Sequence, residues 1–264
     1  MGVMVRLRDF ERYGIYAGFS RRDGGESEQE FASLNVGLHV GDDAQAVLNN
    51  RHMIAEELGI ADDRITYAQQ VHGAQVAVIS ESMVGLGAKS FADAVSDTDA
   101  MVSTVNHAGL AIVAADCVPM LFVDIRHHVI GAAHAGWRGA AAGIAQKTVE
   151  TMIACGASRD FIYAVLGPSI RGCCYEVDEQ VIVKARAFYK QIGKQPSWKR
   201  SPRHADRVML DLPTLCRDDL AASGIAQTRI LDVAVCTNCM DGYFSHRRDH
   251  GKTGRHGGFI ALRM

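Results

Sequence analysis

The sequence predicts a single α/β or α+β domain, and three observations carry that prediction. Apolar runs of strand length alternate along the chain with segments of helical periodicity, a pattern that packs as sheets covered by helices. Hydrophobic residues make up 48% of the chain and charged residues 22%, the balance of a globular protein. No internal repeat, low-complexity tract or proline-rich linker divides the 264 residues, and the five prolines are scattered. One α/β domain of that length is ordinary.

Taken in order, residues 42–58 read as a helix with Val47, Met53, Ile54 and Leu58 on one side. Residues 66–71 and 75–79 read as strands meeting at a turn around His72-Gly73. The apolar runs 110–115 and 120–125 are interrupted at residues 116–119, where Pro119 removes a ladder hydrogen bond and predicts a bulge or sharp turn at Cys117. Residues 129–133 form a further apolar run ending at His134. A glycine-rich turn follows, then a helix from about Gly139 to Cys155 with Ile144, Thr148, Met152 and Cys155 facing inward. Residues 161–166 are strand-like and lead into Gly167-Pro168-Ser169-Ile170. Residues 176–191 and 212–223 read as helices, and 230–235 and 259–262 as strands flanking the polar loop 245–256.

The bulk numbers exclude several classes. A net charge of −2 gives no basis for a nucleic acid or an anionic membrane as partner. Met1-Gly2-Val3-Met4-Val5-Arg6 lacks the apolar stretch of a secretory signal, residue 6 is not the Ser or Thr of a myristoylation motif, and no run of 18 apolar residues follows. The expected location is cytoplasmic. Seven cysteines, an odd number in such a chain, suit reduced thiols and metal ligands better than a disulfide framework. Oligomeric state leaves no signal.

Chemistry concentrates at strand ends and the loops beyond them. His72 in Gln70-Val71-His72-Gly73, Cys117 in Ala115-Asp116-Cys117-Val118-Pro119 and His134 in His134-Ala135-Gly136-Trp137-Arg138-Gly139 each lie at a strand terminus beside Gly or Pro. Singly, each reads as a turn histidine, a buried thiol or a capping histidine. Together, two imidazoles and a thiolate match a catalytic Zn²⁺ site with an open fourth position, and copper also binds such a set. The same residues contain a Cys–His nucleophile. Asp116 is a candidate carboxylate partner for an imidazole N–H, or a turn former.

Cationic residues supply candidates for an anion. Gly136-Trp137-Arg138-Gly139 opens a helix whose free N–H groups and Arg138 could clamp phosphate or carboxylate. Residues 245–255 pack the four cations Arg247, Arg248, Lys252 and Arg255 into eleven residues without helical periodicity, a solvated face or an anion-binding loop. Ser20-Arg21-Arg22-Asp23-Gly24-Gly25 is similar in character, and Asn50-Arg51 adds Arg51. Cys173-Cys174 and Cys236-Thr237-Asn238-Cys239 are read as structural thiols, because a C-x-x-C without a partner pair is weak and vicinal cysteines chelate one metal poorly.

Together these strings resemble the YfiH-like family, whose members carry the names laccase-domain protein, multicopper polyphenol oxidase and purine nucleoside phosphorylase. The resemblance runs nearly end to end. It takes in Phe19-Ser20-Arg21-Arg22-Asp23-Gly24-Gly25, Ser33-Leu34-Asn35-Val36-Gly37-Leu38-His39-Val40-Gly41-Asp42-Asp43, Asn50-Arg51, the three motifs above and Asp99-Ala100. Gly167-Pro168-Ser169-Ile170, Cys174-Tyr175-Glu176-Val177, Cys236-Thr237, Phe244-Ser245-His246-Arg247-Arg248-Asp249 and Thr253-Gly254-Arg255 complete it. The resemblance implies a layered α/β sandwich of mixed β-sheets with outer helices. It also implies zinc on His72, Cys117 and His134, and phosphorolysis of adenosine, inosine and methylthioadenosine alongside adenosine deamination. Cys239 and the absence of aromatic residues from Asn238-Cys239-Met240-Asp241-Gly242 depart from the pattern.

The alternatives separate on chemistry. A multicopper oxidase needs many histidines in His-x-His pairs, whereas these 11 histidines include only the adjacent His127-His128, which leaves copper-dependent polyphenol oxidation as a side property of a soft site. Zinc deaminases attack C6 of adenine with help from a glutamate in an H-x-E motif, absent here, so Asp116 or a further histidine must move the proton. Phosphorolysis needs cations for phosphate, and Arg51, Arg138, Arg247, Arg248 and Arg255 are the candidates. A Cys–His hydrolase or amidase, with Cys117 as nucleophile and His134 as base, is the runner-up, and the resemblance implies peptidoglycan precursors as its substrate. A catalytically idle scaffold is the third class.

Overall fold

Four seven-residue strands, Ala108–Ala114, Val118–Asp124, Val129–Ala135 and His256–Leu262, are buried along their whole length. A strand covered on both faces belongs inside a layered structure. The computed structural model describes residues 2–264 and shows such layers. In chain order the elements are β1 (Met4–Arg6), β2 (Ile15–Ser20), α1 (Ala44–Leu58), β3 (Ile65–Tyr67), β4 (Val76–Ile79), β5 (Ala100–Ser103), β6 (Ala108–Ala114), β7 (Val118–Asp124) and β8 (Val129–Ala135). There follow α2 (Trp137–Ala141), α3 (Ile144–Ala154), β9 (Ile162–Leu166), β10 (Glu176–Val177), α4 (Glu179–Gln191), β11 (Lys199–Arg200), β12 (Val208–Met209), α5 (Leu212–Ala222), β13 (Ile230–Asp232) and β14 (His256–Leu262).

The order β1-β2-β14-β6-β3 makes one mixed sheet and β13-β9-β7-β8-β5-β4 a second, with β10-β12-β11 a small third. Alternation along each strand divides the apolar residues between layers. Leu110, Ile112, Leu121, Val123, Ile130, Ala132, Ile260 and Leu262 fill the space between the two large sheets. Ala111, Val113, Phe259 and Ala261 face the other way, onto Ile54 and Leu58 of α1. Val118, Met120, Phe122, Val129 and Ala133 face α3 and α5 through Ile144, Val149, Met152 and Leu220. The result is a helix–sheet–sheet–helix sandwich, the layered α/β class expected.

Three local readings need correction. Residues 66–71 and 75–79 do not form a hairpin: β3 pairs in parallel with β6 in one sheet and β4 in parallel with β5 in the other. His72 therefore lies on a crossover between sheets, a non-local pairing that hydrophobic pattern does not encode. The helix expected from Gly139 to Cys155 is two helices, because Gly143 adopts φ +73° and breaks the ladder between α2 and α3. Glu176 belongs to β10, and α4 begins only at Glu179. The helix at 42–58 is α1, capped where Asp43 accepts the Ala46 N–H at 2.8 Å.

One buried core residue is expected to make the fold acid-sensitive. His256 on β14 is fully buried, with only a 3.3 Å contact from Nε2 to the Pro168 carbonyl, and burial pushes its pKa down to about 4. An unfolded chain protonates this ring below about pH 6.5, whereas the native state does so only near 4. The stability it contributes is present above that upper value and is lost as pH falls through the window, about 3 kcal/mol in all. Urea midpoints near pH 7 and near pH 5 should therefore differ more for the wild type than for His256→Gln. An equal acid shift in both proteins would remove His256 as the cause.

Candidate functional site

Three segments converge where the two large sheets meet. His72 stands on the crossover in a left-handed conformation, φ +61°, and Asp116 in the β6–β7 turn adopts φ +88°. Non-glycine residues hold such angles only when their surroundings over-determine them, and here those surroundings are visible. Gln70 donates to the Val113 carbonyl at 2.7 Å and accepts the Val113 N–H at 2.9 Å, which locks the crossover onto β6. Asp116 accepts from Thr237 Oγ1 at 2.6 Å and from the Arg247 backbone N–H at 2.7 Å, which ties the turn bearing Cys117 to the C-terminal loops.

Asp99, fully buried just before β5, joins the two histidines. Its carboxylate accepts the backbone N–H groups of His72 at 3.0 Å and Gly73 at 2.6 Å, and the His134 Nδ1–H at 2.9 Å. With Nδ1 engaged, His134 presents Nε2 to the site. The His72 and His134 rings meet edge to face with centroids 4.8 Å apart. One ligand atom from each of His72, Cys117 and His134 lies within 4.8 Å of the others.

Two glycines make this convergence sterically feasible. A Cβ on Gly136 would sit 2.9 Å from the His72 ring and 3.2 Å from Cys117 Sγ, and one on Gly139 would sit 2.4 Å from the Gly73 carbonyl oxygen. Gly136→Ala should thus push the imidazole and thiol apart, with turnover and bound metal falling together in parallel assays of both. An alanine variant with wild-type metal content would show that the ring has room to give.

The electrostatics are those of a thiolate held between imidazoles. Burial pushes the Cys117 thiol up, but the charge of His134 and hydrogen bonds from His134 and His72 outweigh it and bring the pKa to about 6. Burial pushes His134 down, but Cys117 and Asp99 outweigh that and raise it to about 9. The donor set, the separation of the ligand atoms and the fixed His134 tautomer all fit a tetrahedral ion with one position left open. These three residues could hold it.

The predicted site residues divide into two groups. His72, Cys117, His134, Asp116, Arg247 and Arg255 all line one cavity of about 310 Å³. Arg51 lies elsewhere: it is buried over the Tyr67 ring at 3.7 Å and donates to the carbonyls of Val36, Gly87 and Ala88, so it braces the α1 layer rather than meeting phosphate. Arg248 is spent on Asp249 and on the carbonyls of Thr237, Met240 and Tyr243. Arg138 lies over Trp137 at 4.3 Å and lines a neighbouring depression. Asp116 is not the carboxylate partner of an imidazole; Asp99 is, and its only sequence signal was its place in Asp99-Ala100. His39, Gln70, Tyr175 and His246 line the cavity and carried no individual signal in the sequence.

A family profile described as multi-copper polyphenol oxidoreductase laccase matches residues 16–263. The chain belongs to this family. Among its relatives is a protein of Geobacillus stearothermophilus named purine nucleoside phosphorylase YlmD, 41% identical over 254 residues, which cover 95% of this chain and 91% of that one. A protein named adenosine deaminase RL5, from an unknown prokaryotic organism, is 32% identical over 92% of each chain. The crystal structure of the Geobacillus YlmD superposes with a TM-score of 0.89 at 39% identity, covering 95% of this chain and 93% of that one. A Bacillus licheniformis protein called YfiH gives 0.92 at 36% identity, covering 100% and 97%. Against the family's laccase label, the group at this cavity whose ligand atoms lie close enough to hold one ion is His72, Cys117 and His134. No helix of the described residues is long and apolar enough to cross a membrane.

Proposed function

We propose that the chain is a metal-dependent purine nucleoside phosphorylase. It converts adenosine, inosine and methylthioadenosine with phosphate to free base and the corresponding ribose 1-phosphate, and deaminates adenosine at the same site. The observation that carries this reading is one cavity lined both by the His72–Cys117–His134 set and by the Arg247 and Arg255 guanidinium groups. A volume of about 310 Å³ lies at the small end of ligand pockets and suits a nucleoside rather than a polymer. The relatives named purine nucleoside phosphorylase and adenosine deaminase support both reactions.

In phosphorolysis a phosphate oxygen bonds to the ribose anomeric carbon as the bond to the base nitrogen breaks, and the departing base takes up a proton. Arg247 suits the phosphate: its side chain is exposed, rests over the Tyr175 ring at 5.3 Å and holds carbonyls only loosely, at 3.3–3.5 Å. Arg255, half-buried, adds a second positive charge to the lining. Burial and the nearby Cys117 thiolate push the Tyr175 phenol up, so it stays protonated as a hydrogen-bond donor to the base. Zinc in the three-residue set would supply a Lewis acid and a bound water of lowered pKa, the requirement for deamination, and copper could replace it. A cytoplasmic location is part of this proposal, since nucleosides and phosphate are metabolites of that compartment.

The test is incubation of metal-quantified protein with adenosine, with and without phosphate, followed by chromatography. Adenine formed only with phosphate is expected, and inosine formed without it marks deamination. Absence of both products would overturn the proposal. The lowered Cys117 and raised His134 also favour a second reading, a Cys–His hydrolase of peptidoglycan precursors with Cys117 as nucleophile. Chelation silences the metal enzyme and spares the thiol enzyme, whose remaining activity iodoacetamide on the metal-free protein then removes.

A further inference from the structure

Four thiols remote in sequence meet on the outer side of the cavity wall. Cys173 and Cys174 lie in the turn before β10, and Cys236 and Cys239 in the turn after β13. Their sulfur atoms all lie within 4.8 Å of one another, with Cys173 and Cys239 at 3.7 Å and Cys174 and Cys239 at 3.2 Å. We infer that these four cysteines form a second metal site, a tetrahedral four-thiolate zinc centre that staples the two turns together.

The geometry is that of a structural ion. Zn–S bonds of about 2.3 Å in a tetrahedron set sulfur atoms about 3.7 Å apart, so this cluster needs only small movements to close on one ion. The Cys236–Cys239 turn is built as a knuckle: the Cys239 and Met240 N–H groups donate to the Cys236 carbonyl at 3.2 and 3.1 Å. Both turns are held in register independently of the thiols. Ser169 and Cys236 form a parallel bridge, and the Arg171 guanidinium grips Asp232 through two bonds of 2.8 and 2.9 Å. Pre-alignment of this kind overcomes the objection to vicinal cysteines, because the partner pair is delivered from the other turn.

The site also gives a role to Arg248, which the cavity does not use. Four thiolates on a divalent ion leave two negative charges. Arg248 donates to Thr237 and Met240 on one side, and Arg247 reaches the Cys174 carbonyl on the other, so two cations flank the cluster. The staple would act on the cavity through neighbours in sequence, since Ile170 and Tyr175 line it and Thr237 holds Asp116.

Counting zinc per chain by elemental mass spectrometry separates the two sites. The expected result is two ions in the wild type and one in Cys117→Ala/His134→Ala. Cys236→Ser/Cys239→Ser should also hold one. Cobalt loaded into Cys117→Ala/His134→Ala should give the strong thiolate-to-metal absorption of a tetrahedral four-sulfur site. Should the serine variant not fold, the counts on the other two proteins decide the matter alone. An empty Cys117→Ala/His134→Ala protein, iron in place of zinc, or a disulfide among the four cysteines in wild-type protein purified under argon would each overturn the assignment. These counts are independent of whether any nucleoside is cleaved.

Discussion

Cys117→Ala is expected to lose both phosphorolysis and deamination by on the order of 10³-fold, together with the ion of its own site. The thiolate is the only anion among the three ligands, and without it two imidazoles face a divalent cation with no opposing charge. The loss should appear in kcat rather than in KM, since Arg247 and Arg255 remain to hold phosphate. His134→Ala should behave alike, because it removes both a ligand and the partner of Asp99. Steady-state kinetics paired with metal counts provide the check, and full turnover by metal-free Cys117→Ala would sink the metal reading.

Asp99→Ala should weaken metal binding at the His72–Cys117–His134 site by about 10–100-fold, although Asp99 touches no metal. Its carboxylate fixes the His134 ring through Nδ1 and, on the same oxygen pair, the backbone that carries His72. Removing it frees the His134 tautomer and leaves the buried His134 Nδ1–H unpaired, a cost of about 1–3 kcal/mol. Zinc competition against a chromophoric chelator gives the affinity, and thermal unfolding gives the stability cost. An unchanged affinity would show that packing alone orients the two rings. Asp99→Asn distinguishes the parts, since an amide can still accept one bond but carries no charge.

The site was legible in the sequence to the extent that its residue types were out of place in apolar strand ends. His72, Cys117 and His134 stood out for that reason, and the fold brings their ligand atoms within 4.8 Å of one another. The arginines were harder, because a cation's role depends on which acceptors surround it. Arg51 and Arg247 look equivalent in the chain, yet one is buried against carbonyls and the other lines the cavity. Asp99 rather than Asp116 partners His134 for a similar reason. The direction of a carboxylate follows from its φ and its neighbours, and Asp116 at φ +88° turns towards Thr237.

Local pattern by itself determined the α/β class, most element positions and the chemical character of the site. Those properties depend on hydrophobic periodicity and side-chain type, which are local quantities. Tertiary structure alone decided that residues 65–67 and 76–79 join different sheets, which strings His72 between them. It alone decided that Cys173 and Cys174 stand against Cys236 and Cys239, more than sixty residues away. Strand partners and loop contacts across such separations are chosen by the packing of the whole chain, and no window of sequence records that choice.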